Sequence, residues 1–319
     1  MATNTELLAQ VVQTNTDLTN TIEEEVGKWQ GERAESKAFM QEAVKTVVDN
    51  RITLYVDAEA GDDSNNGLSI ASSLKTLDKA LELTAPARDK YITINLKGGH
   101  TYQITKRLGV SAKRLVFATL HNPAFDIAND SYEEIQGKLA IIENVAYFDD
   151  NDAYNGYTAY TSGMRPSPTS SQTFYFHKVI LKTPDIVPSW SNNIWTGLIH
   201  RTDFSGQVNV SAVFCYLDLG SPLVKSASGV GYLNTDMYAN RYNLTRLIAS
   251  PGVDNYLFST SGKPIKCNFG GVYNRDTEGL TKPIESYLVS AGYVSSDPDA
   301  LPRNVISNLD FRRSRTLRS

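Results

Sequence analysis

The first 50 residues contain neither proline nor tyrosine, whereas all 12 prolines and all 17 tyrosines fall in the rest of the chain. Two parts with different folding rules are therefore joined near residue 50. In the first, Leu8, Val11, Asn15, Leu18, Ile22 and Trp29 recur at spacings of 3, 4, 3, 4 and 7, the seam of a heptad repeat. Such a seam predicts an α-helical coiled coil. A seam Asn costs stability but fixes register and strand number, so Asn15 points to further copies of this chain as the partners. The alternative is an amphipathic helix packed on its own domain, but about two apolar residues per heptad make a narrow stripe for that. Gly27 and Gly31 interrupt the seam, so one kink or break is expected before the pattern resumes at Phe39, Met40, Ala43, Val44 and Val47.

From about residue 90 no second long helix is expected. Short β-rich runs follow one another instead: YITINL, RLVFATL, LAIIENVAYF, TFYFHKVIL, NVSAVFCYLDL, VGYLNTDMY, NLTRLIA, NYLFST and IKCNFGGVY, divided by Gly, Asn, Pro, Ser and Asp. This pattern predicts an all-β body, and the residues alone leave a sandwich and a solenoid both open. A chain of 319 residues with 41% hydrophobic content can bury a substantial core. Its formal charge of −4 gives no sign of a nucleic-acid surface, and Arg312, Arg313, Arg315 and Arg318 read as a solvated basic end. Cys215 and Cys267 read as reduced core residues. No apolar run reaches the roughly 20 residues of a membrane span, and no basic-then-apolar leader opens the chain, so synthesis in a cytoplasm without membrane insertion is expected.

The stretch LYVDAEAGDDSNNGLSIASSLKTLDKALE (Leu54 to Glu82) crowds Asp57, Asp62 and Asp63 among turn-forming residues. These acids could do chemistry, hold a metal or shape a loop. An EF-hand order is not met, whereas Asp62, Asp63, Asn65, Asn66 and Gly67 suit local side-chain to backbone bonding. Leu74, Leu77, Ala80 and Leu81 share a helical face able to cover the open end of a β-stack. The stretch resembles the opening segment of right-handed β-helix domains in bacteriophage tail fibres and tailspikes: an extended Val-Asp strand, a Gly-Asp-Asp-Ser-x-x-Gly-Leu-Ser loop, a Lys-Thr pair and a short amphipathic helix. The likeness covers about 28 of the 319 residues. It departs where that group often has a Pro before Phe-Lys-Thr and this chain has SSLKT. The resemblance implies a mainly β fold, a pectate-lyase-like right-handed parallel β-helix preceded by an N-terminal coiled coil. It also implies a homotrimer joined to a virion through its N-terminus.

Glycoside hydrolysis wants two carboxylates about 5 to 9.5 Å apart. Strand alternation puts Phe214, Tyr216 and Asp218 on one face, and Tyr232, Asn234, Asp236 and Tyr238 on one face. The interval from Asp218 to Asp236 is close to one small solenoid coil, so they are the candidate catalytic pair of a depolymerase. Tyr216, Asp218, Asn234 and Asp236 equally make a candidate non-catalytic glycan contact, or a plain solvated face. The tyrosine-rich run Tyr147 to Gly163 is a second candidate contact surface. Lys266 alternates with Cys267 in an ordinary strand pattern. His100, His121, His177 and His200 are too widely separated to offer a local ligand spacing, and no metal or cofactor is expected. Nucleophile-elbow, P-loop and HExxH motifs are missing from the sequence.

These observations lead to one expectation. Residues 1–50 form a stalk and virion anchor, 51–89 a junction loop with a capping helix, and 90–319 a β-helical body with a basic tail. The function expected is a homotrimeric, structural or receptor-binding fibre of the virion tail that contacts other tail or baseplate proteins and host-surface glycan. The alternative is a tailspike depolymerase cleaving host polysaccharide; a third is an adaptor that only joins virion proteins through residues 1–50.

Overall fold

The computed structural model describes residues 3–148, 159–166, 171–185, 194–195, 197–204, 207–229, 232–249, 257–260, 265–270, 273–276, 289–290 and 305–307. It divides into two units, residues 1–51 and 52–319.

The first unit is one helix, α1 (Asn4–Asp49), 46 residues long. The expected break at Gly27 and Gly31 is not there. A helical glycine costs about 1 kcal/mol relative to Ala, too little to interrupt a helix already propagated over many turns. Thr14, Thr16, Thr19 and Thr21 each donate their hydroxyl to the carbonyl four residues back, at 2.8–3.0 Å, so these β-branched polar residues satisfy themselves within the helix.

Among the described residues the second unit is mainly β, with three long parallel sheets, one small mixed sheet and few helices. It opens with β1 (Arg51–Val56) and α2 (Leu77–Thr84). The chain then visits the three sheets in rotation. The first circuit is β2 (Tyr91–Leu96), β3 (Thr101–Ile104) and β4 (Arg107–Val110); the second is β5 (Arg114–Thr119), β6 (Ala140–Asn144) and β9 (Gly163–Pro166), carrying α3 (Tyr132–Lys138), β7 (Ala146–Phe148) and β8 (Ala159–Thr161) as insertions. The third is β10 (Gln172–His177), β11 (Val179–Thr183) and β13 (Ile199–Phe204), with β12 (Ile194–Trp195) beside β8. The fourth is β14 (Gln207–Val213), β15 (Tyr216–Leu219) and β16 (Val224–Gly229). The fifth is β17 (Tyr232–Tyr238), β18 (Arg241–Asn243) and β19 (Phe258–Thr260), with α4 (Thr245–Ala249) inserted. The sixth is β20 (Ile265–Gly270), β21 (Tyr273–Asp276) and β22 (Val289–Ser290), and β23 (Val305–Ser307) begins another. The sheet orders repeat this rotation: β1-β2-β5-β10-β14-β17-β20-β23, β3-β6-β11-β15-β18-β21 and β4-β9-β13-β16-β19-β22.

Register turns the rotation into stacked rows. In the first sheet Ile94, Phe117, Phe176, Ala212, Met237 and Phe269 are successive partners, all buried, and the Phe117 and Phe176 rings stack at 5.1 Å. Tyr102, Ile142, Leu181, Leu217 and Tyr242 do the same in the second sheet; partly buried Leu108 and buried Met164, Ile199, Val224 and Phe258 form the row of the third. These rows meet in one core, because alternation sends every second side chain to the same interior. At the corner between the first and second sheets Lys178, Phe214 and Ala239 each adopt a left-handed backbone, φ 50–53°. Their amides donate to Val213, Tyr238 and Gly270 of the next circuit, so each strained corner is held by the one stacked on it.

At the edge where β3 and β4 have no preceding strand, α2 packs against both. Thr76 caps it by accepting from the Lys79 amide at 3.2 Å, and Leu74, Leu77, Ala80 and Leu81 are wholly buried. Removing a Leu side chain from water is worth about 1.5–3 kcal/mol, so this face holds the helix on the core. Asp78 fixes the other side, accepting the Thr105 amide at 3.0 Å and the Thr105 hydroxyl.

One run read as a strand is not one. NLTRLIA ends β18 at Asn243 and becomes α4, since the Asn243 carboxamide takes the Thr245 amide at 3.3 Å and its hydroxyl, a local bond that starts a helical turn.

Candidate functional site

The three acids of the loop after β1 are used on backbone. Asp57 Oδ1 accepts the amides of Glu59 and Ala60 at 2.9 and 3.1 Å, while Oδ2 meets Lys97 Nζ at 3.2 Å. Burial works the other way, but these amides and the ammonium hold its carboxyl below the usual range. Asp62 accepts the Ser64 amide at 2.8 Å, which lowers its carboxyl too. Asp63 reaches across the loop to the Lys75 and Thr76 amides, both at 2.9 Å, and to the Thr76 hydroxyl at 2.7 Å. It thereby positions the residue that caps α2. Among the described residues no cluster of three or more His, Cys, Asp or Glu is placed to hold a metal.

Asp218 and Asp236 do not come together. Asp218 lies on β15 of the second sheet, in register with Lys182 and Asn243. Asp236 lies on β17 of the first, between Ser211 and Asn268. Their interval in sequence does not match a circuit: Val210 pairs with Thr235 and Leu115 with Phe174, and both of those intervals are longer. A stacked acid pair is therefore not formed by these two residues.

The four-residue glycan set divides with them. Tyr216 and Asp218 turn away from the main core as alternation requires, yet they are buried, with 2% and 8% exposure. The segment holding α3 lies over them, and Ile127, Ile135, Leu139, Ile141, Ile180 and Tyr216 make a second core. The Tyr132 ring packs 4.9 Å from Tyr216, and the Arg241 guanidinium lies 5.3 Å from the Tyr216 ring centre. Asp218 is held by Arg246 of α4, Nη2 to Oδ1 3.1 Å, and by Asn243 Nδ2 at 3.2 Å. Neither residue is placed to meet a glycan.

Asn234 and Asp236 face outward on the outer side of the first sheet, half-buried and exposed respectively. Asn234 donates to Asn209 Oδ1 at 3.0 Å and Asn209 to Thr173 Oγ1 at 3.3 Å, so the amides form a ladder up the stack. Asn268 Nδ2 donates to Asp236 Oδ1 at 3.3 Å. Lys266, in the Asn234 row, is exposed beside buried Cys267, in line with its ordinary strand pattern.

In the helical unit Leu8, Val11, Leu18, Ile22 and Trp29 are 54–69% exposed, and Asn15 is exposed among them. Leu7, Val12 and Val26 are exposed too. At 100° per residue these eight apolar side chains fall within an arc of roughly 140°, broader than the seam alone. Of the tyrosine-rich run, residues 149–158 lie outside the described residues, as do the C-terminal arginines.

Two features of the site went unread in the sequence. The cover over the second sheet had a start signal in Ser131-x-x-Glu134, a capping box whose reciprocal bonds are 2.7 and 3.2 Å. The aromatic residues Tyr175 and His177 on β10 had none, since their register with β14 and β17 depends on circuits of unequal length. No family model, curated protein or solved structure matches the chain.

Proposed function

We propose that this chain is a homotrimeric tail fibre protein of a bacteriophage virion. Residues 1–50 form the coiled-coil stalk that joins tail or baseplate proteins, and the remainder is a right-handed parallel β-helix turned to host-surface glycan. The observation that carries the proposal is the apolar stripe of α1, eight exposed side chains with Asn15 among them. Single copies would leave that stripe in water, and association of like helices removes it. The β-helix reading is supported by the fixed rotation among three parallel sheets and by the strong right-handed preference of crossovers between parallel strands. Three strands rather than two follow from the resemblance of the Leu54–Glu82 stretch. Binding is preferred to cleavage because the two carboxylates singled out for hydrolysis sit on different sheets.

The test is the mass in solution by light scattering or sedimentation equilibrium. The full chain is expected at three times 35.2 kDa, and a chain lacking residues 1–50 at one copy, missing from assembled particles. A full-length protein that stays monomeric at every concentration sinks the stalk assignment. Release of new reducing ends from host polysaccharide would restore the depolymerase.

A further inference from the structure

On the outer face of the first sheet β14 presents small side chains, Ser211 and Val213, between two taller neighbours. Tyr175 and His177 of β10 stand on one side and Asp236 and Tyr238 of β17 on the other, with Tyr175, Ser211 and Asp236 in one register row and His177, Val213 and Tyr238 in the next. The two walls are two strand spacings apart, roughly 9.6 Å. The Tyr175 and His177 rings are 6.3 Å apart and within 25° of parallel, and the Arg114 guanidinium lies 5.3 Å from the Tyr175 ring centre. Tyr238 rests on Gly270, where an added Cβ would come within 2.9 Å of its Cδ2. Its ring meets Phe214 edge-on at 6.1 Å yet stays 54% exposed. An aromatic ring braced on one side and open on the other is a stacking platform.

We infer that this trough is a saccharide-binding site whose occupant is a neutral hexose polymer. The inference rests on the reading of the body as host-facing. Tyr238 offers its open ring face to the apolar face of a sugar ring, and the stacked Tyr175–His177 pair walls the opposite side. The Asp236 carboxylate accepts hydroxyl protons, and the Asn209–Asn234 ladder beside it both donates and accepts. Charge complementarity selects the class of sugar. Among the six lining residues the acid is Asp236; burial first and the neighbouring Lys178 second lower the proton affinity of His177, and the Arg114 guanidinium comes from β5, on the far side of β10. A uronic acid polymer would set its carboxylates against Asp236, whereas neutral hydroxyls donate to it.

The experiment measures retention of the full-length protein on immobilised mannan, galactan, dextran and chitin, and on polygalacturonate and alginate. Wild type and the control Tyr91→Ala, an exposed tyrosine of the same sheet outside the trough, are expected to bind at least one neutral polymer and neither acidic one. Tyr238→Ala and Asp236→Ala are each expected to weaken that binding about ten-fold or more. Undiminished binding by both variants, preference for the acidic polymers, or no binding to any polymer overturns the site. Solution mass and incorporation into particles are followed on the same preparations. If those hold while glycan retention fails, the site alone falls; if the wild type is monomeric and excluded from particles, the fibre reading falls whatever the trough binds.

Discussion

Asp218 Oδ1 and Arg246 Nη2 lie 3.1 Å apart, and the guanidinium comes from the inserted helix α4, in the circuit after β15. The same guanidinium donates to the Asp218 carbonyl at 2.9 Å and meets Asp185 at 2.6 Å. Arg246 therefore ties the insertion and the end of β11 to the second sheet. Asp218 keeps 8% exposure, so it depends on this partner. Arg246→Met is expected to cost about 2–3 kcal/mol in urea unfolding, below the range for a fully buried pair because Arg246 retains 28% side-chain exposure. Asp218→Asn should also lower stability while leaving glycan retention as it was. A change below about 0.5 kcal/mol for Arg246→Met would mark the pair as a surface ion pair of no consequence.

Stability should fall on mild acidification because of His200. Its ring is wholly buried, its Nδ1 donates to the Gly197 carbonyl at 3.0 Å, and burial first, then the charges of Arg107 and Arg165, lower its pKa to about 3. Between pH 6.5 and 3 the unfolded chain takes up a proton that the folded chain refuses, so the folded state loses about 1.4 kcal/mol per pH unit as pH drops. The expected loss from pH 7 to pH 5 is about 2 kcal/mol. His200→Gln should flatten that slope; His177, also lowered, leaves a weaker one of the same sign. Equal slopes for wild type and variant between pH 7 and 5 would contradict this account.

Leu81→Ala tests whether α2 holds the end of the stack. The side chain is wholly buried against the main core, and large-to-small changes at such sites cost about 2–5 kcal/mol. Chemical unfolding should show this loss with an unchanged m-value. Leu83→Ala, on the exposed side of the same helix at 40% exposure, should change stability by less than about 0.5 kcal/mol.

Glycine substitutions should act with opposite sign in the two units. A Cβ on Gly27 or Gly31 meets nothing within 4 Å, so Gly27→Ala and Gly31→Ala should each stabilise α1 by about 1 kcal/mol, seen as a later loss of helical circular dichroism on heating. At Gly61 a Cβ would stand 2.1 Å from the Leu74 carbonyl oxygen and 2.5 Å from that of Asp57. Backbone atoms on both sides leave no room to yield, so Gly61→Ala should cost about 3 kcal/mol or more. A neutral Gly61→Ala would mean that this close approach is not maintained.

What the sequence disclosed was what depends on near neighbours. The change of period after Asp49 marks the passage from α1 to β1, Thr76 and Leu77 mark α2, and runs such as YITINL and TFYFHKVIL fall on strands because alternation is local. What stayed hidden depends on distance along the chain. Circuits of unequal length carry Asp218 and Asp236 to different sheets, which no fixed interval could foretell. The pairing of Ile141 and Ile180 with Tyr216 under α3 buries both faces of the second sheet. Its trace is the loss of alternation in AIIEN and VILKT, where consecutive apolar residues imply cover on two sides. The unbroken helix through Gly27 and Gly31 shows the reverse error, a local penalty overruled by a long cooperative element.

The rows of the core are indifferent to how much chain separates their members: Ile92 pairs with Leu115, and Leu115 pairs in turn with Phe174 across a far longer interval. The extra length enters where the path leaves one sheet for another, and each doubling of such a segment costs only about 0.6 kcal/mol of closure entropy. The body is therefore organised as an invariant interior with exchangeable margins. Segments can be lengthened, shortened or grafted at those margins without moving a single stacked side chain, so the surface it presents can diversify on a fixed frame.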